Sequence, residues 1–124
     1  MKTERGCIEH LAKACPKYAA KLRAIIPRLV DPLPVIRNGV YDVEFHGSFS
    51  IKTVAPALIG SELSYDHLDI GQGQEAQIAF DEMIAPETSI ERRIELRTAI
   101  LKYCQQDTLA MAKLTDWLLS QISE

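Results

Sequence analysis

The chain has 124 residues, of which 47% are apolar and 25% charged, as is typical of a protein that folds around one hydrophobic core. No apolar run is long enough to cross a bilayer, and the net charge of −3 is unlike the strongly basic balance of many nucleic-acid-binding domains. The three cysteines include no Cys-x-x-Cys pair, which argues against a structural zinc site and favours reduced thiols. We therefore expect a cytoplasmic protein without membrane association.

The charge is unevenly distributed along the chain. Residues 1–37 contain eight Lys or Arg and three acids, whereas residues 38–91 contain one Lys and ten acids. In the first segment, Lys13, Lys17 and Lys21 are spaced by four residues, which places them on one side of a helix. This pattern has two interpretations: a solvated helix surface, which is the commoner one, and a local basic face.

The first third of the chain predicts one long helix and one strand. Residues 4–26 have helical periodicity, and Pro16 either kinks this helix or begins a second one, because proline is tolerated in a first turn. Residues 28–31, Arg-Leu-Val-Asp, predict a short extended strand closed by Pro32 and Pro34, and residues 38–49 a loop or hairpin. The inward stripe of the helix is predicted to consist of Ile8, Leu11, Cys15, Tyr18, Leu22 and Ile25.

The remainder of the chain predicts further helices. Ser50 is a suitable N-cap for a short helix over residues 51–59, bent at Pro56, and residues 74–84 predict another helix after an irregular segment. Thr88 and Glu91 form a capping box that begins a long helical stretch reaching about Gln121, which could break near residues 104–107. The predicted fold class is therefore mainly α. The one predicted strand lacks the neighbouring strand with which its backbone groups would form hydrogen bonds.

An aspartate interrupts the apolar stripe of the last helix. A buried carboxylate is costly unless a hydrogen bond, a cation or a metal compensates it, so Asp107 needs a partner. Two interpretations are equally consistent with the sequence. Asp107 either caps a neighbouring helix or pairs with a guanidinium such as that of Arg97, or it binds a metal. Tyr103 lies one turn earlier in the pattern Tyr-x-x-x-Asp, which also occurs at Tyr65 and Asp69 in the loop region. The full stripe comprises Leu96, Ile100, Tyr103, Asp107, Ala110, Leu114 and Leu118.

Three strings make the chain resemble an uncharacterised bacterial family over nearly its whole length. They are Gly-Ser-Phe-Ser-Ile-Lys-Thr-Val-Ala-Pro-Ala-Leu at 47–58, Leu-Ser-Tyr at 63–65 and Tyr-Cys-Gln-Gln-Asp-Thr-Leu-Ala-Met at 103–111. The carboxy-terminal region of that family is similar to the DnaQ-like exonucleases of the ribonuclease H fold. The resemblance implies that residues 1–124 form a single partial domain, the helix-rich carboxy-terminal part of an α/β ribonuclease H-like fold that lacks its first three strands.

The resemblance also implies a metal site. In DnaQ-like enzymes, acids from three motifs hold two divalent ions, Mg or Mn, and a Tyr or His orients the attacking water. Asp107 matches the last metal ligand, Tyr103 the water-positioning residue, and Glu4 the acid of the second motif. The first motif, an Asp-x-Glu, is expected well before Glu4 and is absent there. Since at most half the ligand set is then present, we expect weak metal binding and no hydrolysis by the chain alone.

Two functions follow as hypotheses. The first is a truncated 3′–5′ exonuclease-like domain directed at DNA or RNA if an amino-terminal partner segment complements it. Ser48, Ser50 and Lys52 would contact phosphates, although helix capping is an ordinary role for Ser50. The alternative is a non-catalytic helical interaction module, or a decayed gene remnant, that self-associates as a homo-oligomer through the apolar surface left uncovered.

Overall fold

A computed structural model describes residues 2–122 of the chain. Within that part 72% of the residues are helical and no strand occurs, so the prediction of a mainly-α fold is confirmed. Short 3-10 turns at Pro16–Tyr18, Ile26–Arg28, Val43–Phe45 and Ser61–Leu63 connect some of the helices. The α-helices are α1 (Lys2–Ala14), α2 (Ala19–Arg23), α3 (Leu33–Gly39), α4 (Ile51–Leu58), α5 (Gly73–Ile84) and α6 (Ile90–Ser120).

The chain divides into two compact units, Met1–Val40 and Tyr41–Glu124, which we call the first and second unit. The first unit contains α1 to α3, and the second contains α4 to α6. In the described part of the chain, no helix is both long enough and apolar enough to cross a membrane. That residues 1–124 form one partial domain stays a prediction.

In the first unit, the predicted helix over residues 4–26 is two helices. Pro16 occupies the first turn of a 3-10 segment, where its missing N–H costs nothing, and α2 follows. The second of the two alternatives for Pro16 is therefore confirmed. The predicted inward stripe is partly wrong, because the chain turns at this proline and no single helix face continues through it. Exposed side chains within the stripe include Leu11, Tyr18 and Ile25.

The predicted strand at residues 28–31 is wrong. Leu29 is locally extended, with φ −69° and ψ 124°, but no strand lies beside it in the described part of the chain. Asp31 instead accepts a hydrogen bond from the backbone N–H of Leu33, at 3.0 Å, where α3 begins. The sequence prediction missed α3 because the two prolines resembled strand terminators, whereas Pro34 lies in the first turn of this helix.

In the second unit, helix starts follow from local side-chain bonds. The Oγ of Ser50 accepts from the backbone N–H of Lys52, at 3.4 Å, so the predicted N-cap of α4 is confirmed. The predicted helix over residues 74–84 is confirmed as α5, which begins one residue earlier behind a capping box formed by Gln72 and Glu75. Ordinary capping chemistry thus explains where both helices begin.

The start of α6 differs from the prediction by one residue. Ser89, not Thr88, is the N-cap, and its Oγ accepts from the backbone N–H of Arg92 at 3.2 Å. The Thr88 hydroxyl donates instead to the carbonyl of Glu82, at 2.6 Å, so the predicted capping box is wrong. The helix continues without a break through residues 104–107, because no proline or glycine occurs between positions 87 and 120.

The core of the second unit lies along α6. Two clusters of buried side chains occupy it: one joins α5 and the loop before it to α6, and the other joins α4 to α6. The predicted stripe of α6 is buried at Leu96, Tyr103, Ala110 and Leu114, with the other three members half-buried. Asp107 is one of those three, so its carboxylate does lie on the packed side of the helix.

Candidate functional site

The carboxylate of Asp107 has a phenol as its partner. The hydroxyl of Tyr65, which lies in the loop before α5, donates a hydrogen bond to Oδ1 of Asp107 at 2.6 Å. Arg97 does not fill this role: it is exposed and ten residues earlier on the same helix, about 15 Å away along the axis. The charge on the stripe is therefore compensated by a neutral donor from a distant part of the sequence.

Tyr103 completes a pair of phenols at this position. Its ring meets the ring of Tyr65 edge to face, with centroids 6.0 Å apart and an interplanar angle of 61°. Its hydroxyl lies close to the first residue of α5, 3.6 Å from the place where a Cβ on Gly73 would stand. Tyr103 and Asp107 thus share one side of α6, as their spacing predicts. Tyr103 approaches the beginning of α5, and Asp107 meets the hydroxyl of Tyr65.

Lys52 brings a positive charge to the same cluster. Its Nζ lies 5.2 Å from the centroid of the Tyr65 ring and 5.1 Å from that of Tyr103, a geometry that allows cation–π attraction to both. The ammonium also donates a hydrogen bond to the carbonyl oxygen of Gly71. We call Lys52, Tyr65, Tyr103 and Asp107 the phenol cluster; it unites two predicted catalytic residues with one of the predicted phosphate contacts.

Both phenols stay protonated around neutral pH. Burial, followed by the hydrogen bond to Asp107 and the charge of that carboxylate, raises the pKa of Tyr65 well above its ordinary value. Burial, followed by the charge of Asp107, also raises the pKa of Tyr103. The two hydroxyls are therefore hydrogen-bond donors under physiological conditions, while neither is a base.

A second side chain of α6 fixes the loop that carries Tyr65. Gln106 is buried, and its amide Nε2 donates to the carbonyl oxygens of Glu62, at 3.3 Å, and Ser64, at 3.1 Å. Consecutive residues of α6 thus hold the backbone leading to Tyr65 and the hydroxyl of Tyr65 itself. Neither Gln106 nor Tyr65 has a role predicted from the sequence, although Tyr65 belongs to both the Leu-Ser-Tyr string and the second Tyr-x-x-x-Asp match.

A cleft of about 1090 Å³ lies beside the phenol cluster. Lys52 and Tyr65 contribute to its lining, together with acids and small polar residues from the 3-10 turn before α4, from the start of α4, from the loop before α5 and from the first turn of α5. The cleft therefore combines one ammonium with an acidic surround. The acids that line it are Glu44, Asp66, Asp69 and Glu75.

The other two predicted phosphate contacts, Ser48 and Ser50, make hydrogen bonds within the chain at the start of α4. The Oγ of Ser48 accepts from the backbone N–H of Ser50, at 3.2 Å, and from the hydroxyl of Thr53, at 3.4 Å. Ser50 is the N-cap of α4 and also lines the cleft. These bonds match the capping interpretation, and a role for either serine in binding nucleic acid stays a prediction.

The phenol cluster fits a divalent ion only in part. It contains one carboxylate, and a two-metal centre requires several. Among residues 2–122, no three His, Cys, Asp or Glu side chains lie close enough together to hold a metal ion. Glu4, the other predicted ligand, lies on α1 in the first unit, and its pairing with Asp107 stays a prediction.

One comparison with known proteins gives a match. Residues 1–50 match a family described as "Domain of unknown function (DUF2779)". No curated protein and no solved structure matches the chain. The family match confirms a likeness to an uncharacterised domain. The matched residues mostly precede the three strings, at 47–58, 63–65 and 103–111, that suggested this likeness in the sequence. The likeness to DnaQ-like exonucleases stays a prediction.

Proposed function

We propose that this chain carries part of the active site of a metal-dependent 3′–5′ exonuclease, a phosphodiester hydrolase acting on DNA or RNA, and that it is inactive by itself. The observation that supports this most is the placement of Asp107. Its half-buried carboxylate lies one turn after Tyr103 and is bonded to Tyr65, a phenol that lines the cleft, rather than to a guanidinium. A carboxylate has about four acceptor positions, and the Tyr65 hydroxyl occupies one of them.

Three members of the phenol cluster have distinct roles in this proposal. Asp107 is the carboxylate ligand that the second unit contributes to Mg or Mn. Tyr103 is a neutral phenol that can orient a water, and Lys52 is a cation beside the cleft for a phosphate. Bound metal ions would supply an activated water and neutralise charge on the phosphate. Because the cluster holds one carboxylate, we assign no reaction step to the chain alone.

Manganese binding by the full chain tests the ligand assignment. We expect weak binding, detected by the electron paramagnetic resonance of free Mn²⁺, that Asp107→Asn lowers by about tenfold or more. Asp116→Asn is the matched control, because Asp116 is an exposed acid on the same helix. Equal manganese affinity for the wild type, the Asp107 variant and the control would overturn the assignment.

Hydrolysis of a labelled oligonucleotide tests the reaction class. The chain alone should release no nucleotides in Mg or Mn. Addition of an amino-terminal DnaQ-like segment that carries Asp-x-Glu should produce 3′–5′ cleavage, which Asp107→Asn abolishes and Asp116→Asn retains. Cleavage that survives the Asp107 substitution would reject the proposal, and so would the absence of cleavage together with unchanged manganese binding.

A second function, a non-catalytic helical interaction module, is favoured by the outer face of α6. A shallow apolar groove follows this face, and Leu101 and Leu109 in it are about half exposed. Such a surface favours self-association as a homo-oligomer. Sedimentation velocity over a wide concentration range should then show a dimer or higher species that Leu101→Asp disperses. A monomer at every concentration would reject this function.

A further inference from the structure

The two units carry opposite charge. The first unit, Met1–Val40, contains eight Lys or Arg and three acids, a net charge of +5. The second unit, Tyr41–Glu124, contains six Lys or Arg and 14 acids, a net charge of −8. The candidate site belongs to the acidic unit, and acids line its cleft. A polyanionic substrate is repelled by that unit at long range, so its attraction must come from elsewhere.

The basic charge of the first unit is concentrated in one stretch of sequence. Residues 10–30 contain five Lys or Arg and no acid. Arg23 is held by Glu9 at 3.2 Å. Lys13, Lys17 and Lys21 are exposed, and the ion pairs in the described part of the chain include none of them. The three ammonium groups are therefore available to an anion from solution.

An aromatic ring accompanies these lysines. Lys13 lies in the last turn of α1, Lys17 in the 3-10 turn and Lys21 on α2, and these elements pack together. Tyr18 is about half exposed, and Nζ of Lys17 is 5.6 Å from its ring centroid. Proteins bind single-stranded nucleic acid with two kinds of side chain: cations that contact the backbone phosphates and aromatic rings that stack on the bases. Both kinds are exposed here.

We propose that Lys13, Lys17, Tyr18 and Lys21 form a docking surface for single-stranded nucleic acid, which we call the basic surface. The lysines bind successive phosphates, and the ring of Tyr18 stacks on a base. The choice of nucleic acid as the ligand rests on the proposed function. The surface itself rests on the charge, exposure and ring contact of the first unit. Neither a base edge nor a metal is needed for this contact, so we expect binding without sequence preference.

Salt-dependent binding of a fluorescent oligothymidylate to the full chain tests the proposal. Each phosphate contact on a single strand contributes about 0.7 to the slope of log K against log salt, so Lys13→Gln, Lys17→Gln and Lys21→Gln together should reduce the slope by about 2. The matched control removes three exposed charges of the second unit, Arg97→Gln, Lys102→Gln and Lys113→Gln, and should leave the slope unchanged. Equal losses in both triple variants would overturn the proposal.

Further variants distinguish this surface from an unspecific polyanion site and from the active site. Tyr18→Ala should weaken binding of oligothymidylate by at least about fivefold, whereas competition by polyglutamate as effective as competition by oligothymidylate would overturn the proposal. An oligouridylate arm shows whether RNA binds as well as DNA. Asp116→Asn, which removes an exposed acid of the second unit outside the phenol cluster, should bind like the wild type. If manganese binding and cleavage fail while oligonucleotide binding persists, the exonuclease proposal is rejected and the basic surface remains.

Discussion

Tyr65 and Asp107 are 42 residues apart in the sequence, and their side chains are joined by a 2.6 Å hydrogen bond from the phenol to Oδ1 of the carboxylate. This bond connects the loop before α5 to the middle of α6 and determines where the carboxylate points. It also explains how an acid is tolerated among apolar side chains, because a hydrogen bond to an ionised group offsets part of the cost of its burial.

Removal of this hydroxyl should destabilise the fold while leaving the packing intact. Tyr65→Phe keeps the ring contacts with Tyr103 and Lys52 and deletes the donor to Asp107. We expect the free energy of unfolding to fall by about 1.5–3 kcal/mol in a urea titration, since a hydrogen bond to a charged group contributes in this range. Tyr41→Phe is the control, because Tyr41 is 87% exposed, and it should change stability by less than about 0.5 kcal/mol. Equal stabilities of the two variants would show that the bond contributes nothing.

Gln106 should support the same loop through its two carbonyl partners. Gln106→Ala leaves the carbonyl groups of Glu62 and Ser64 without their side-chain donor, and we expect a loss of about 1–3 kcal/mol. Hydrogen exchange should become faster for backbone amides around residues 61–65 before it changes elsewhere. The neighbouring Gln105 is exposed, so Gln105→Ala should alter neither quantity. If hydrogen exchange of these amides is unchanged in the Gln106 variant, Gln106 does not stabilise the loop.

The phenols predict a loss of stability at high pH. Both Tyr65 and Tyr103 have a folded-state pKa raised above the ordinary value of 10.0, so the folded chain binds protons that the unfolded chain releases. Their contribution is complete below that ordinary pKa and is lost as the pH rises above about 10 toward the folded-state values. Urea titrations across this range should show the decline, and it should become shallower in Tyr65→Phe. If the free energy of unfolding of Tyr65→Phe falls as steeply with pH as that of the wild type, the loss of stability is due to other titrating groups.

Arg93 should determine the stability of the connection between α5 and α6. Its guanidinium donates to the carbonyl oxygens of Thr88 at 3.0 Å, Ala85 at 2.9 Å and Pro86 at 3.4 Å, which follow the end of α5. Arg93→Met removes these bonds and keeps much of the aliphatic stem. We expect thermal unfolding to reveal a loss of about 1–3 kcal/mol. Arg97→Met, at an exposed position of the same helix, serves as the comparison and should have little effect.

The predictions that the structure confirms depend on short-range chemistry. The N-cap at Ser50, the bounds of α5 and the second helix after Pro16 follow from bonds or constraints within a few residues. Reasoning from near neighbours gave a wrong prediction at residues 28–34, where it predicted a strand and missed the start of α3. Extended geometry at Leu29 is a local property, whereas a strand requires a partner elsewhere. The prolines that suggested an end to structure instead belong to the beginning of α3.

The sequence by itself determined that the chain is helical, that α6 has a packed side, and that Asp107 and Tyr103 lie together on it, because helical spacing and capping depend on near neighbours. Only the tertiary structure decided which group meets Asp107. Between Arg97, a few turns away, and Tyr65, in a distant loop, helical periodicity cannot choose. The packing of the loop before α5 against α6, fixed in part by Gln106, brings the phenol rather than the guanidinium to the carboxylate.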